Sequence, residues 1–220
     1  LKYFEKYKIE ENIPTKYADV SIIHAHNLLF KNDLKNNNYK IISLSQSCIP
    51  VKSFDYIYNF LTNDNFGHFN QAPHSQNFPR CNELLKYVNK ENIQYSSNWF
   101  ILNRKLTKYV LNNDKQHIDK LYENIFCPEE HYFITHIYQS NLQHNIKITN
   151  NLSYATTFAG WPDHKDYKLF DKSKLSKNRP NEYDEICNEE LEYLVNSESL
   201  FARKFNEKCN LQYLYKLLSI

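Results

Sequence analysis

Three short stretches carry residues whose types and spacing could do chemistry. The first is Ser45-Gln46-Ser47-Cys48-Ile49-Pro50, small and polar, directly after an apolar run that reads as a buried strand. In open α/β sheets the turns at the carboxyl ends of strands line the ligand crevice; an ordinary strand-to-helix turn is the other reading. The second is Cys127-Pro128-Glu129-Glu130-His131. Proline followed by two carboxylates opens a helix. The macrodipole and the free N–H groups there keep a carboxylate ionised, which suits a general base and equally suits plain capping. Adjacent helical residues point about 100° apart, so one carboxylate can be structural while the other faces a cleft. The third is Leu200-Phe201-Ala202-Arg203-Lys204-Phe205. Two aromatics bracket a planar fork and a point charge, a pair suited to a diphosphate; a surface Arg-Lys pair is the bland reading.

The elements that must position these groups alternate between strand and helix. Residues 1–16 read as a helix running into Pro14, and Ala18 to Phe30 passes from a β-branched start into a helical pattern. Tyr39 to Ser45 and Trp99 to Leu102 read as short buried strands. Ser53 caps a helix with Phe54, Ile57, Tyr58 and Leu61 on one face. Residues 63–80 hold Gly67, Pro73 and Pro79 and read as a long loop. Helices are expected over 105–112, 115–125, from Pro128, over 185–195 and over 211–218, with strands at 146–149 and 153–158. The alternation predicts an α/β class. No composition break or repeat divides residues 1–220, so one domain is expected.

Composition excludes several functions. Two glycines rule out a Walker loop and a GxGxxG dinucleotide loop. A formal net charge of +2 does not mark a nucleic-acid binder. The cations of 165–179 are interrupted by Asp166 and Asp171, so a solvated loop is the better reading and no nucleic-acid partner is expected. The five cysteines form no CxxC, no Asp-x-Asp occurs, and His24 and His26, like His131 and His136, lack zinc spacing, so no metal is expected. Asn151-Leu152-Ser153 is a formal glycosylation acceptor. No apolar run approaches a membrane span, and no signal peptide is read.

Four blocks, in order, resemble the family of the core-2/I-branching β-1,6-N-acetylglucosaminyltransferases and peptide O-xylosyltransferases. LSQSCIPVKSFDYIYNFL (44–61) resembles its "LSxSxxPxxxxxxIxxxL" block. SSNWFILNRKLTKYVL (96–111) resembles "SxWFxLxRxxxxYV". CPEEHYFITHI (127–137) resembles "PxExxFxT", and SLFARKF (199–205) resembles the terminal "FARKF". Ile146 to Asn150 and Trp161 fall where the family has a strand and a tryptophan.

The resemblance implies a GT-A-like fold, a mixed sheet flanked by helices. It implies an inverting, metal-independent transfer of GlcNAc, or of xylose, from a UDP-sugar to a glycan or protein hydroxyl, with no cofactor beyond that donor substrate. It places the catalytic base on Glu130 rather than Glu129 and the diphosphate cations on Arg203 and Lys204. It places donor or acceptor contacts on Ser47, Cys48, Asn98, Trp99 and Trp161. Some relatives carry an acidic residue where Asn98 stands, which alters the expected acceptor geometry. Relatives also begin with further strands that hold uracil and ribose, whereas the segment resembling their "WGxxSxxxA" region already appears at residues 16–25. The chain is therefore expected to be a truncated or minimal relative, and a decayed form binding UDP or glycan without transfer is the alternative. Animal members are usually Golgi-anchored. No anchor is read here, which leaves the compartment open, cytoplasm or a viral factory included, and the oligomeric state stays open too.

Overall fold

Helix α1 (Ser21–Asp33) starts where the Asp19 carboxylate accepts from the Ser21 N–H at 2.9 Å. Its end is tied by Arg104, whose guanidinium donates to Asn36 O at 2.6 Å and Leu34 O at 3.0 Å. A forked cation on the last carbonyls satisfies acceptors that have no intrahelical partner. These residues belong to a computed structural model that describes residues 5, 7–71, 78–112, 115–149, 156–161 and 179–219. Within it the chain forms two interleaved compact units, the first from Leu1–Ile41, Pro73–Asn98 and Leu102–Ile146, the second from Ile42–Ala72, Trp99–Ile101 and Lys147–Ile220.

The first unit is helical. Besides α1 it holds α3 (Arg104–Val110), α4 (Lys115–Tyr122) and α5 (Glu129–Gln139). Short 3-10 turns lie at Phe78–Lys86 and Lys90–Asn92. Asn103 caps α3, its Oδ1 accepting from Leu106 N at 2.8 Å, an N-cap interaction. Phe30 and Phe133 pack edge to face at 5.6 Å, and Tyr132 packs on Tyr122 the same way at 5.3 Å. The buried Tyr132 hydroxyl donates to Val110 O at 3.0 Å, so burial of the ring leaves no orphaned O–H.

The second unit holds the three-stranded sheet whole and part of the four-stranded one. A four-stranded sheet runs β1 (Lys40–Ile42), β4 (Ile101–Asn103), β3 (Gly67–Asn70), β5 (Ile146–Thr149). In it Ser43 N donates to Phe100 O at 3.0 Å and Gln71 N to Thr149 O at 2.9 Å, with His68 opposite Ile101 in an antiparallel pair. A three-stranded sheet runs β2 (Ile49–Pro50), β7 (Phe201–Arg203), β6 (Thr157–Ala159). It is mixed: β2 pairs antiparallel with β7, Ile49 opposite Ala202, while β6 runs parallel to β7, Ala159 opposite Arg203. Helices α2 (Phe54–Thr62), α6 (Asn188–Asn196) and α7 (Gln212–Leu217) complete the unit. Val51, Phe158, Leu194, Ala202 and Phe205 form its core. Leu61, Ile101, Leu200 and Phe201 form a second cluster, with Ile42 and Ile57 against it.

The expected mixed α/β architecture, sheets flanked by helices, is present and is consistent with a GT-A-like fold. Three local expectations differ. Residues 8–16 carry no helix; Pro14 pushes Ile13 toward extended backbone. The stretch 63–80 contains β3, because Gly67, His68, Phe69 and Asn70 are all buried and Phe69 stacks on Phe100 at 5.1 Å. On α2, Ser53 caps as expected, its Oγ accepting from Tyr56 N at 3.3 Å, but Phe54 and Tyr58 are exposed and only Ile57 and Leu61 turn inward. The glycosylation acceptor at Asn151 and the lysines of 165–177 lie outside the described residues, while Arg179 is exposed.

Candidate active site

Helix α5 is buried almost all round. From Glu129 to Ile137 every residue is buried except Glu130. Cys127, at φ 52°, turns the chain sharply before the helix, in a backbone region a non-glycine residue occupies only at a cost. The two carboxylates then part as their angular spacing requires. Glu129 points inward, 5% exposed, and its Oε1 accepts from Asn98 Nδ2 at 3.0 Å. Glu130 turns outward, its side chain 22% exposed, and its Oε2 accepts from Arg80 Nη1 at 3.2 Å.

A backbone strap fixes this end of the helix. Ser96 N donates to Glu130 O at 2.9 Å, and Gln94 N to Thr135 Oγ1 at 3.0 Å. The strap sets Tyr95 beside Glu130, with a hydrogen bond between the side chains. Burial pushes the Glu130 carboxyl up to about 7, helped by the neighbouring Glu129 charge; Arg80 and Tyr95 pull it back. Burial also raises Glu129. It pushes the Cys127 thiol up to about 12, again reinforced by the Glu130 and Glu129 charges, so the thiol stays neutral. A carboxyl titrating near neutrality can both take and give a proton at working pH.

The second unit gathers the other predicted residues. The Ser45–Pro50 turn lies along β7: Phe205 N donates to Ser47 O at 2.9 Å, and the Ser45 and Ser47 hydroxyls meet at 3.0 Å. The Cys48 sulfur accepts from Ser45 N at 3.3 Å and sits in hydrogen-bond contact with Arg203. Arg203 lies over the Trp99 ring, 4.0 Å from guanidinium carbon to centroid. Burial lowers the Arg203 pKa and the Cys48 sulfur opposes that; a guanidinium stays protonated. Its Nε is buried with no hydrogen-bond partner among the described residues. A buried charged donor left open is costly unless something occupies it. Lys204 follows directly, with its carbonyl accepting from Tyr183 N at 2.7 Å. Trp161 is half-buried, two residues beyond Ala159, the register partner of Arg203.

Glu130 and Asn98 thus sit in the first unit, and Ser47, Cys48, Trp99, Trp161, Arg203 and Lys204 in the second. Arg80 and Tyr95 were not singled out by the sequence. Arg80 sits in the 3-10 stretch Phe78–Lys86 and Tyr95 in an irregular segment, and no spacing ties either to Glu130. Among the described residues no group of three His, Cys, Asp or Glu side chains could hold a metal ion, and no helix is long and apolar enough to cross a membrane.

The sequence model of the family described as Core-2/I-Branching enzyme matches residues 2–196; the 199–205 stretch lies past that match. The chain is also similar to "Glycosyltransferase BC10" of Oryza sativa subsp. japonica, 22% identical over 117 residues, 51% of this chain and 29% of the relative. The chain therefore spans under a third of the curated relative it matches. A family match over most of the sequence, on a mixed α/β fold of this kind, places the chain in the core-2/I-branching enzyme family.

Proposed function

We propose that this chain carries the chemistry of an inverting, metal-independent glycosyltransferase that moves GlcNAc, or xylose, from a UDP-sugar to a hydroxyl of a glycan or glycoprotein. The observation that carries the reading is Glu130, the one carboxylate that a buried helix turns outward, with its pKa lifted to about 7. Family membership and the similarity to a glycosyltransferase support the reaction class.

In this reading the acceptor O–H gives its proton to Glu130 as its oxygen attacks C1 of the donor sugar. The bond from C1 to the diphosphate oxygen breaks, and the electron pair leaves with UDP. The anomeric centre inverts because attack and departure lie on opposite faces. Arg203 and Lys204 meet the charge that grows on the leaving diphosphate, and the open Arg203 Nε–H supports that role. Fixed cations aimed at developing charge need no reorganisation during reaction. Ser47, Cys48, Asn98, Trp99 and Trp161 orient donor and acceptor. Positioned base catalysis contributes ~10²–10⁴-fold.

The test is transfer from UDP-GlcNAc and UDP-xylose by the wild type and by Glu130→Gln. The expected result is a loss of transfer of about that factor in Glu130→Gln with UDP binding unchanged. Transfer retained in the variant overturns the mechanism. UDP binding without transfer in the wild type leaves a non-catalytic binder.

A further inference from the structure

Helix α2 leaves four aromatic side chains in the open: Phe54 at 75% exposure, Tyr56 at 51%, Tyr58 at 57% and Phe60 at 37%. So much exposed ring surface on one short helix marks a contact surface. The rings are ordered in two stacked pairs, Phe54 with Tyr58 at 6.0 Å and Tyr56 with Phe60 at 6.5 Å, the planes of the second nearly parallel at 16°. Only the second pair borders a cavity, of about 490 Å³, which also reaches β3, β5 and the residues ending α6. That volume lies in the range of small-ligand sites.

The cavity is built to hold its groups still. The Lys52 ammonium donates to Val195 O and to Ser197 O, the latter at 2.6 Å, and lies 5.7 Å from the Tyr56 ring centroid. An ammonium carries three N–H donors, so two carbonyls leave one for a ligand. Lys147 is pinned by Asp64 at 2.6 Å, and the Phe60 ring rests on His68 at 5.4 Å. Asp64 pairs with Lys147, and the exposed Glu198 adds a negative charge to the lining that holds Lys52. The pocket thus offers an aromatic wall together with fixed donors and acceptors of both charges.

We propose that this cavity is a glycan subsite holding one neutral pyranose ring. The C–H face of the sugar lies on Tyr56 and Phe60, and its hydroxyls bond to Lys52, Lys147 and Glu198. The mixed charge favours a neutral sugar over a phosphate or a carboxylated one, because a bare anion would meet Glu198 as well as Lys52 and a Lys147 already paired with Asp64. The choice of a sugar rests on the reading that this chain acts on glycans; the wall, the donors and the mixed charge do not.

The experiment titrates the full chain with neutral oligosaccharides of GlcNAc and galactose, with their sialylated forms and with inorganic phosphate, followed by calorimetry and saturation-transfer NMR. The neutral sugars are expected to bind. The double variant Tyr56→Ala, Phe60→Ala should weaken them about tenfold or more. Tyr56→Leu, Phe60→Leu, which keeps apolar bulk without a flat ring, should weaken them too. Phe54→Ala, Tyr58→Ala, on the same helix but off the cavity, should leave affinity unchanged. The proposal is overturned if no neutral sugar binds, if phosphate or sialylated sugars bind better, if the cavity variants bind like wild type, or if both Ala pairs lose equally. UDP binding, followed in parallel, separates the two readings. Loss of the UDP response in wild type would count against the transferase alone, whereas an intact response with ring-independent sugar binding would count against the subsite alone.

Discussion

Arg80 donates to Glu130 at 3.2 Å from a chain position fifty residues earlier. It supplies the positive charge that offsets burial at the carboxylate. Removing it in Arg80→Gln leaves burial and Glu129 acting with less opposition. The acid limb of the rate–pH profile should then move up by roughly one pH unit, with Arg80→Lys between variant and wild type. A rate that falls equally at all pH would show that Arg80 only holds the fold.

The same carboxyl couples stability to pH. Burial holds it at about 7 in the fold against an ordinary value of 4.5, so the fold binds the proton more tightly than the unfolded chain does. That contribution is fully present below about pH 4.5 and is lost as pH rises through about 7. From pH 4.5 to 8 the wild type should lose up to about 3 kcal/mol that Glu130→Gln does not lose. Denaturant titrations of both proteins at the two ends measure the difference, and parallel slopes would contradict it. With Glu130 as the proposed base, transfer should run the other way, rising as the carboxyl ionises.

Arg203 is expected to be intolerant of lysine. The guanidinium stacks on Trp99 at 4.0 Å, and an ammonium cannot reproduce a planar stack. Arg203→Lys should weaken UDP binding about tenfold and Arg203→Met about a hundredfold. Thermal shift with increasing UDP reads both. Equal affinity in the lysine variant would leave the stack without a role in binding.

The Asn103 side chain caps the start of α3, its Oδ1 accepting from Leu106 N at 2.8 Å. Asn103→Ala should cost about 1–2 kcal/mol, a fall of a few degrees in Tm. Phe133→Ala, in the aromatic core beside Phe30, should cost about 3–5 kcal/mol. Thermal unfolding ranks the two, and the reverse order would mean that the cap, not the core, limits the first unit.

What the sequence made legible follows from how local each signal is. Ser53 and the Glu129–Glu130 pair mark helix starts by chemistry that acts within one turn, and both helices begin there. That Glu129 and Glu130 point apart is readable because adjacent helical positions must diverge. Strand β3 was hidden because His68 and Asn70 look polar although both are buried. The inward face of α2 was misjudged because Phe54 and Tyr58 are apolar yet stack on each other outside the core. Arg80 and Tyr95 reach Glu130 only through tertiary structure, which no periodicity encodes.

The guanidinium resting on Trp99 has one more consequence. The chain holds two tryptophans, and one of them lies in direct contact with Arg203. Any anion that draws that guanidinium aside changes the surroundings of the indole, so its emission should shift without an added dye. Because that indole answers to the guanidinium beside it, the native chain carries its own optical gauge of anion occupancy at Arg203, readable in a stopped-flow cell.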